Sequence, residues 1–342
     1  MQHEILTAAP LLDRKGDLAE PGWARSLLPV YCRDEIKAGK LRIKEWDYYL
    51  ITDGHIGLAL TIADNGYMGL DSISFLHFDE GWEQTKSPMR LFPRGKTGLP
   101  ETSVDGASEI ARGGYAMAFY HEDDARCLTF HMDNFRGKDA IEGIVRLTDE
   151  PRESIVIATP FEKPKHFYYN QKINCLRAEG WIELGEQRFE LTPDRFFAVL
   201  DWGRGVWTYH NTWYWGSASG LLDGVPFGWN IGYGFGNTAA ASENALFYDG
   251  TLHKLSRVTF EIPQKDGKFD YLAPWKFTSD DNRFYMDFTP VLDRSACMNV
   301  GVLKSDQHQV FGHFTGRVTL DDGTVLPVRD FFGFAERVEN KW

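Results

Sequence analysis

Between Leu200 and Trp215 the chain sets an acid, an arginine and a histidine among indole and phenol rings. Asp201, Arg204 and His210 share this stretch with Trp207, Tyr209, Trp213, Tyr214 and Trp215. Asn230 and Tyr233 follow in a run where glycines alternate with aromatics, Phe227 to Gly236, and Glu243 lies just beyond. Paired Asp and Glu side chains can act as acid and base, and Trp or Tyr faces can stack on a ligand ring. The candidate catalytic residues are therefore Glu243, Asp201 and His210. The candidate substrate contacts are Trp207, Trp213, Trp215, Asn230, Tyr233 and Arg204. Plainer readings stand beside these. Arg204, three residues from Asp201, would lower that acid's pKa and make it a structural ion-pair member. Trp213 and Trp215 fall on one strand face with Tyr214 opposite, and interior packing alone accounts for them.

The elements that must position these residues are strands. Tyr49 to Ile51, Ile56 to Ile62, Ile73 to Phe78, Tyr115 to Tyr120 and Cys127 to Met132 are short alternating runs. Hairpin signals punctuate the chain at Thr52-Asp53-Gly54, Asp64-Asn65-Gly66, Glu122-Asp123-Asp124 and Asp321-Asp322-Gly323. Such spacing predicts an all-β protein, an up-and-down barrel or sandwich. The glycine–aromatic run predicts a strand whose glycine face lets another group approach closely.

The end of the chain also repeats its middle. Gly180-Trp181-Ile182-Glu183-Leu184 leads to Phe196-Phe197, Asp201 and Trp207, while Gly316-Arg317-Val318-Thr319-Leu320 leads to Phe331-Phe332, Glu336 and Trp342. One supersecondary plan is used twice. We expect an arm over 1–40, a first unit over 41–206 and a second over 207–342, packed with a crevice between or inside them. Acids at equivalent unit ends, Asp201 and Glu336, are expected to satisfy backbone amides or an arginine at a barrel closure. Glu243 has no evident counterpart in the first unit and is a candidate to face a cavity; which carboxylate does so is open.

At 342 residues and 43% hydrophobic content, the chain can fill two cores. A net charge of -12 argues against nucleic acid, which calls for a concentrated basic face. No basic leader or apolar run of membrane-span length is present. Cys32, Cys127, Cys175 and Cys297 are scattered, which suits free thiols in a reducing cytoplasm. The histidines lack ligand spacing, and no phosphate-cradling loop is found, so neither metal nor cofactor is implied. Oligomeric state is open.

From Gln2-His3-Glu4-Ile5 through Lys44-Glu45-Trp46-Asp47-Tyr48-Tyr49 to Glu243-Asn244-Ala245, the chain resembles the bacterial family DUF2804. Residues 196 to 215 and 331 to 342, with an acid before Trp-Gly and then Trp-x-Trp, are similar to tandem lipocalin-like proteins. These include carotenoid 1,2-hydratases, tocopherol cyclases, fungal survival-factor lipid carriers and decalin-forming cyclases. The resemblance implies two lipocalin-like antiparallel β units and an apolar cavity for a hydrophobic molecule. It also implies chemistry that begins with protonation of an alkene. That step needs a carboxylic acid kept neutral by burial and π faces that stabilise a cation. Asp201 or Glu243 would be the acid, Trp207, Trp213 and Trp215 the faces, and Asn230 or His210 would orient a water.

Three functions remain in play. One is a cofactor-independent hydratase or cyclase acting on a prenyl, polyene or acyl molecule. The second is a carrier of such a molecule without chemistry. The third is a carbohydrate-active protein, which requires Asp201 and Glu243 to face one open cleft.

Overall fold

Period-two alternation, broken by Gly, Asn and Asp, makes antiparallel sheet almost everywhere. The computed structural model describes residues 2–300 and 303–341. Among them, the helical segments are two short 3-10 turns, Arg33–Glu35 and Lys40–Arg42. The tandem lipocalin-like all-β architecture expected from the sequence is the one adopted. All four expected turns close hairpins, and Gly54 and Gly66 take left-handed φ values of 88° and 78°.

Among the described residues, the first sheet follows a path from Trp82–Lys86 at one edge to Ala107–Arg112 at the other. Phe197–Val206 returns to pair with Ile43–Thr52, the earliest strand of that path. The second sheet runs from Thr251–Lys254 to Val258–Glu261 and uses the same plan. Its last strand, Val325–Lys341, returns to pair with its first, His210–Leu222. Trp342, which closes the repeat in sequence, lies outside the described residues.

Both sheets curl. In the first, Tyr115 Oη donates to Asp71 Oδ2 at 3.0 Å across the interior, and the Arg136 guanidinium lies 3.8 Å from the Trp82 ring. In the second, Phe260 N donates to the Tyr233 hydroxyl at 3.3 Å. Each curl is filled by its own side chains, Leu60, Ile73, Leu128 and Trp202 in one and Trp229, Phe277, Phe288 and Phe314 in the other. The two outer faces then pack back to back. Tyr48, Leu50 and Val199 of the first sheet meet Trp215, Phe311 and Phe334 of the second.

Two devices lock the sheets together. Phe167–Leu184 bulges between Ile173 and Leu176, with Cys175 at φ 63°. The bulge lets Asn174 Nδ2 donate to Ser217 Oγ at 2.8 Å and Trp229 O at 3.1 Å, and Cys175 N donate to Ser219 Oγ at 3.0 Å. The extended N-terminal segment is the second device. Gly22–Ala24 pairs with Ile155–Pro160, Trp23 is buried, and Arg25 reaches Leu252 O at 2.8 Å. The four cysteines are free.

Candidate functional site

Between the packed faces lies a cavity of about 260 Å³. Register builds it from two matching rows. Across the first sheet, Lys172, Asp201, Tyr48, Thr61 and Ser72 are successive partners on neighbouring strands. Across the second, the row is Arg294, Gln309, Glu336, Trp215 and Gly232. Directly opposed side chains share a sheet face, so each row turns toward the cavity, and every member but Gly232 lines it. Asp201 and Glu336 are therefore equivalent, as are Tyr48 and Trp215. At one end Trp46, Tyr168, Trp207, Trp213 and Phe235 form an aromatic cluster with ring centroids 4.6 to 6.0 Å apart.

Charge sits in the middle of this apolar wall. Lys172 Nζ lies 2.8 Å from Asp201 Oδ2, 3.8 Å from Glu243 Oε2 and 3.8 Å from the Trp215 ring centroid. Asn170 Nδ2 donates to Asp201 Oδ1 at 2.6 Å. Asn230 Nδ2 donates to Glu243 Oε2 at 3.0 Å, while its Oδ1 accepts from Trp215 Nε1 at 2.6 Å. A Cβ at Gly232 would overlap the Glu243 carboxylate, so that glycine makes room for the acid. This is the close approach that the glycine–aromatic alternation predicts.

Burial pushes the Glu243 carboxyl above the usual carboxylate range, opposed by the Lys172 charge and the Asn230 hydrogen bond. Glu336 is pushed up to about 7 by burial, against the Trp213 hydrogen bond and the Lys172 and Arg294 charges. Trp213 Nε1 donates to Glu336 Oε1 at 2.9 Å, and Gln309 Nε2 donates to Oε2 at 3.2 Å. The cavity thus offers a carboxylic acid near neutrality beside two carboxyls that share one ammonium. Burial also raises the Tyr48 and Tyr168 hydroxyls, which stay protonated.

Glu243, Asp201, Trp207, Trp213 and Trp215 line this cavity. Asn230 lies fully buried behind it and positions Glu243 and Trp215. Three other candidates lie elsewhere. His210 is on the surface with Nε2 3.4 Å from Glu339 Oε1, because it sits on the face of its strand opposite Trp213 and Trp215. Tyr233 stacks on Tyr214 inside the second curl at 4.5 Å. Arg204 points into the first curl, where it donates to Asp47 Oδ1 at 3.0 Å and to the Trp46, Gly203 and Pro100 carbonyls. It does not pair with Asp201, since three residues along a strand is an odd step and reverses the face. Among the described residues, neither Asp201 nor Glu336 takes a backbone amide or an arginine as hydrogen-bond partner; both turn to the cavity.

Lys172, Tyr48, Gln309 and Arg294 line the site without any motif that singles them out, and Glu336, expected to be structural, joins them. Lys172 left a signal, a lysine inside the otherwise apolar and amide-rich run Tyr168 to Leu176. Among the described residues, no group of three or more His, Cys, Asp or Glu side chains could hold a metal ion. No helix among them is long and apolar enough to cross a membrane.

The fold is similar to that of an AttH-like protein of Nitrosomonas europaea, with a TM-score of 0.56 and 13% identity over 96% of this chain and 98% of that one. Kievitone hydratase from Nectria haematococca gives a TM-score of 0.49 at 10% identity, covering 98% of each chain. CghA gives 0.45 at 10% identity, covering 98% of this chain and 97% of that one. No curated protein matches the chain. The sequence from residue 2 to 342 matches one family throughout, and the chain belongs to DUF2804, described as a domain of unknown function.

Proposed function

We propose that the chain binds a largely apolar small molecule between its two sheets and acts on it by acid catalysis without a cofactor. The class of reaction is hydration or cyclisation of an alkene. One observation carries this reading: Glu336, a carboxyl held near neutrality by burial, borders an aromatic wall and faces ion-paired carboxyls. Glu336 would pass its proton to one alkene carbon, using the π electrons for the new C–H bond. The faces of Trp46, Trp207, Trp213 and Phe235 would stabilise the cation left on the other carbon. A water oxygen, or a hydroxyl of the substrate, would then close on that cation. Its proton would go to Asp201 or Glu243, whose gain Lys172 tolerates by remaining paired to the other. Return of that proton to Glu336 completes the cycle, so atoms and charge balance.

The carbohydrate reading has less support. Asp201 and Glu243 are both buried and flank a single lysine, rather than standing apart in an open cleft.

The test begins with native mass spectrometry of protein purified from its own host, then organic extraction of whatever is bound. Incubation of that ligand with the wild type and with Glu336→Gln follows. Conversion by the wild type alone supports the acid. A ligand recovered unchanged from both makes the protein a carrier.

A further inference from the structure

The wall of the cavity continues onto the surface as an apolar lip. Ala63 and Leu70 line the cavity, and the next partner in their row is Met89; two residues along, Met68 pairs with Leu91. Residues in one row, and residues two apart, share a face. Met89 and Leu91 therefore extend the cavity wall, yet they are 59% and 80% exposed. Phe92 and Leu41, 53% and 43% exposed, join them at the hairpin tip. Phe92 N donates to Tyr67 O at 2.9 Å, and Gly66 packs against the Leu41 carbonyl. Large apolar side chains gathered in one exposed patch mark an interaction surface.

The same hairpin gathers positive charge. Residues 37–44 contain Lys37, Lys40, Arg42 and Lys44, and residues 86–96 contain Lys86, Arg90, Arg94 and Lys96; neither stretch holds an Asp or Glu. Lys44 and Arg90 are used inside, on Asn65 O at 3.0 Å and on Asp71 at 2.7 Å. Lys40, Arg94 and Lys96 remain exposed. Arg94 N donates to Gly66 O at 3.1 Å, and its guanidinium lies 5.4 Å from the Phe92 ring. A basic, apolar lip on a chain of net charge -12 is local complementarity to an anionic, apolar partner.

We propose that this lip seats on an anionic lipid bilayer. Leu41, Met89, Leu91 and Phe92 enter the headgroup boundary, and Lys40, Arg94 and Lys96 meet the lipid phosphates. The ligand then moves between bilayer and cavity along a continuous apolar face. Seating on the bilayer does not depend on the chemistry proposed for Glu336.

Co-sedimentation with vesicles tests it, using phosphatidylcholine alone and phosphatidylcholine with about a third phosphatidylserine. The wild type should sediment with the anionic vesicles and be released by about 0.5 M salt. The double variant Leu91→Asp, Phe92→Asp should lose at least about tenfold in affinity. Arg94→Glu should also weaken binding, while Ile144→Asp, at an exposed apolar site of another strand, and Glu336→Gln should not. Absence of vesicle binding at low salt overturns the proposal. So does equal binding by the double variant, or a lip that proves instead to hold two copies of the chain together.

Discussion

Asp201 and Glu336 hold matching places in the two sheets, but Lys172 stands beside the first where Gln309 stands beside the second. Asp201 is ion-paired at 2.8 Å; among the described residues, the hydrogen bonds that Glu336 receives are neutral, from Trp213 and Gln309. The two matching strands each bring one acid to the cavity, and the neighbouring strand sets an ammonium beside Asp201 but a neutral amide beside Glu336. Carboxyls whose surroundings differ in this way are the usual basis of acid and base roles within one site.

Turnover that depends on protonated Glu336 should fall about tenfold per pH unit above about 7. Trp213→Phe removes the hydrogen bond that opposes burial and should move this limb to higher pH. A pH profile of kcat for both proteins checks it. A limb that stays in place would assign the titration to another group.

The same carboxyl couples stability to pH. Its folded pKa lies above the ordinary 4.5, so its contribution is fully present below that value and is lost as pH rises through about 7. The loss is on the order of 3 kcal/mol. Glu336→Gln lacks this titration. Its urea midpoint should change less than the wild type's between about pH 5 and 8.

Lys172→Met leaves Asp201 and Glu243 buried without their shared cation. Unfolding in denaturant should show a loss of about 3–5 kcal/mol at pH 8. Adding Asp201→Asn should recover part of the loss, and a double-mutant cycle measures how much.

Gly232→Ala drives a methyl group into the Glu243 carboxylate and to 2.9 Å from the Tyr214 carbonyl oxygen. A cost of about 1–3 kcal/mol is expected, with weakened ligand binding. Gly113→Ala, which meets nothing within 4 Å, should stay within about 0.5 kcal/mol of the wild type.

Much of this architecture was legible along the chain. Turn residues placed the hairpins, and the repeat announced one plan used twice. Alternation put Trp213 and Trp215 on one face and Tyr214 on the other, because side-chain direction along a strand follows from local geometry alone. The same rule separates Asp201 from Arg204, three positions along one strand.

What lay beyond the sequence was pairing. Lys172 meets Asp201 across a separation of 29 residues, and Glu336 meets Trp213 across one of 123. Two short basic stretches, unremarked singly, converge only at the Gly66 hairpin. Composition and periodicity determined strands, turns and duplication, since these depend on neighbours in sequence. Tertiary structure decided which strand faces meet, and so which acid is buried without a direct ion pair. That outcome rests on register and on the back-to-back packing of two sheets, which no local pattern encodes.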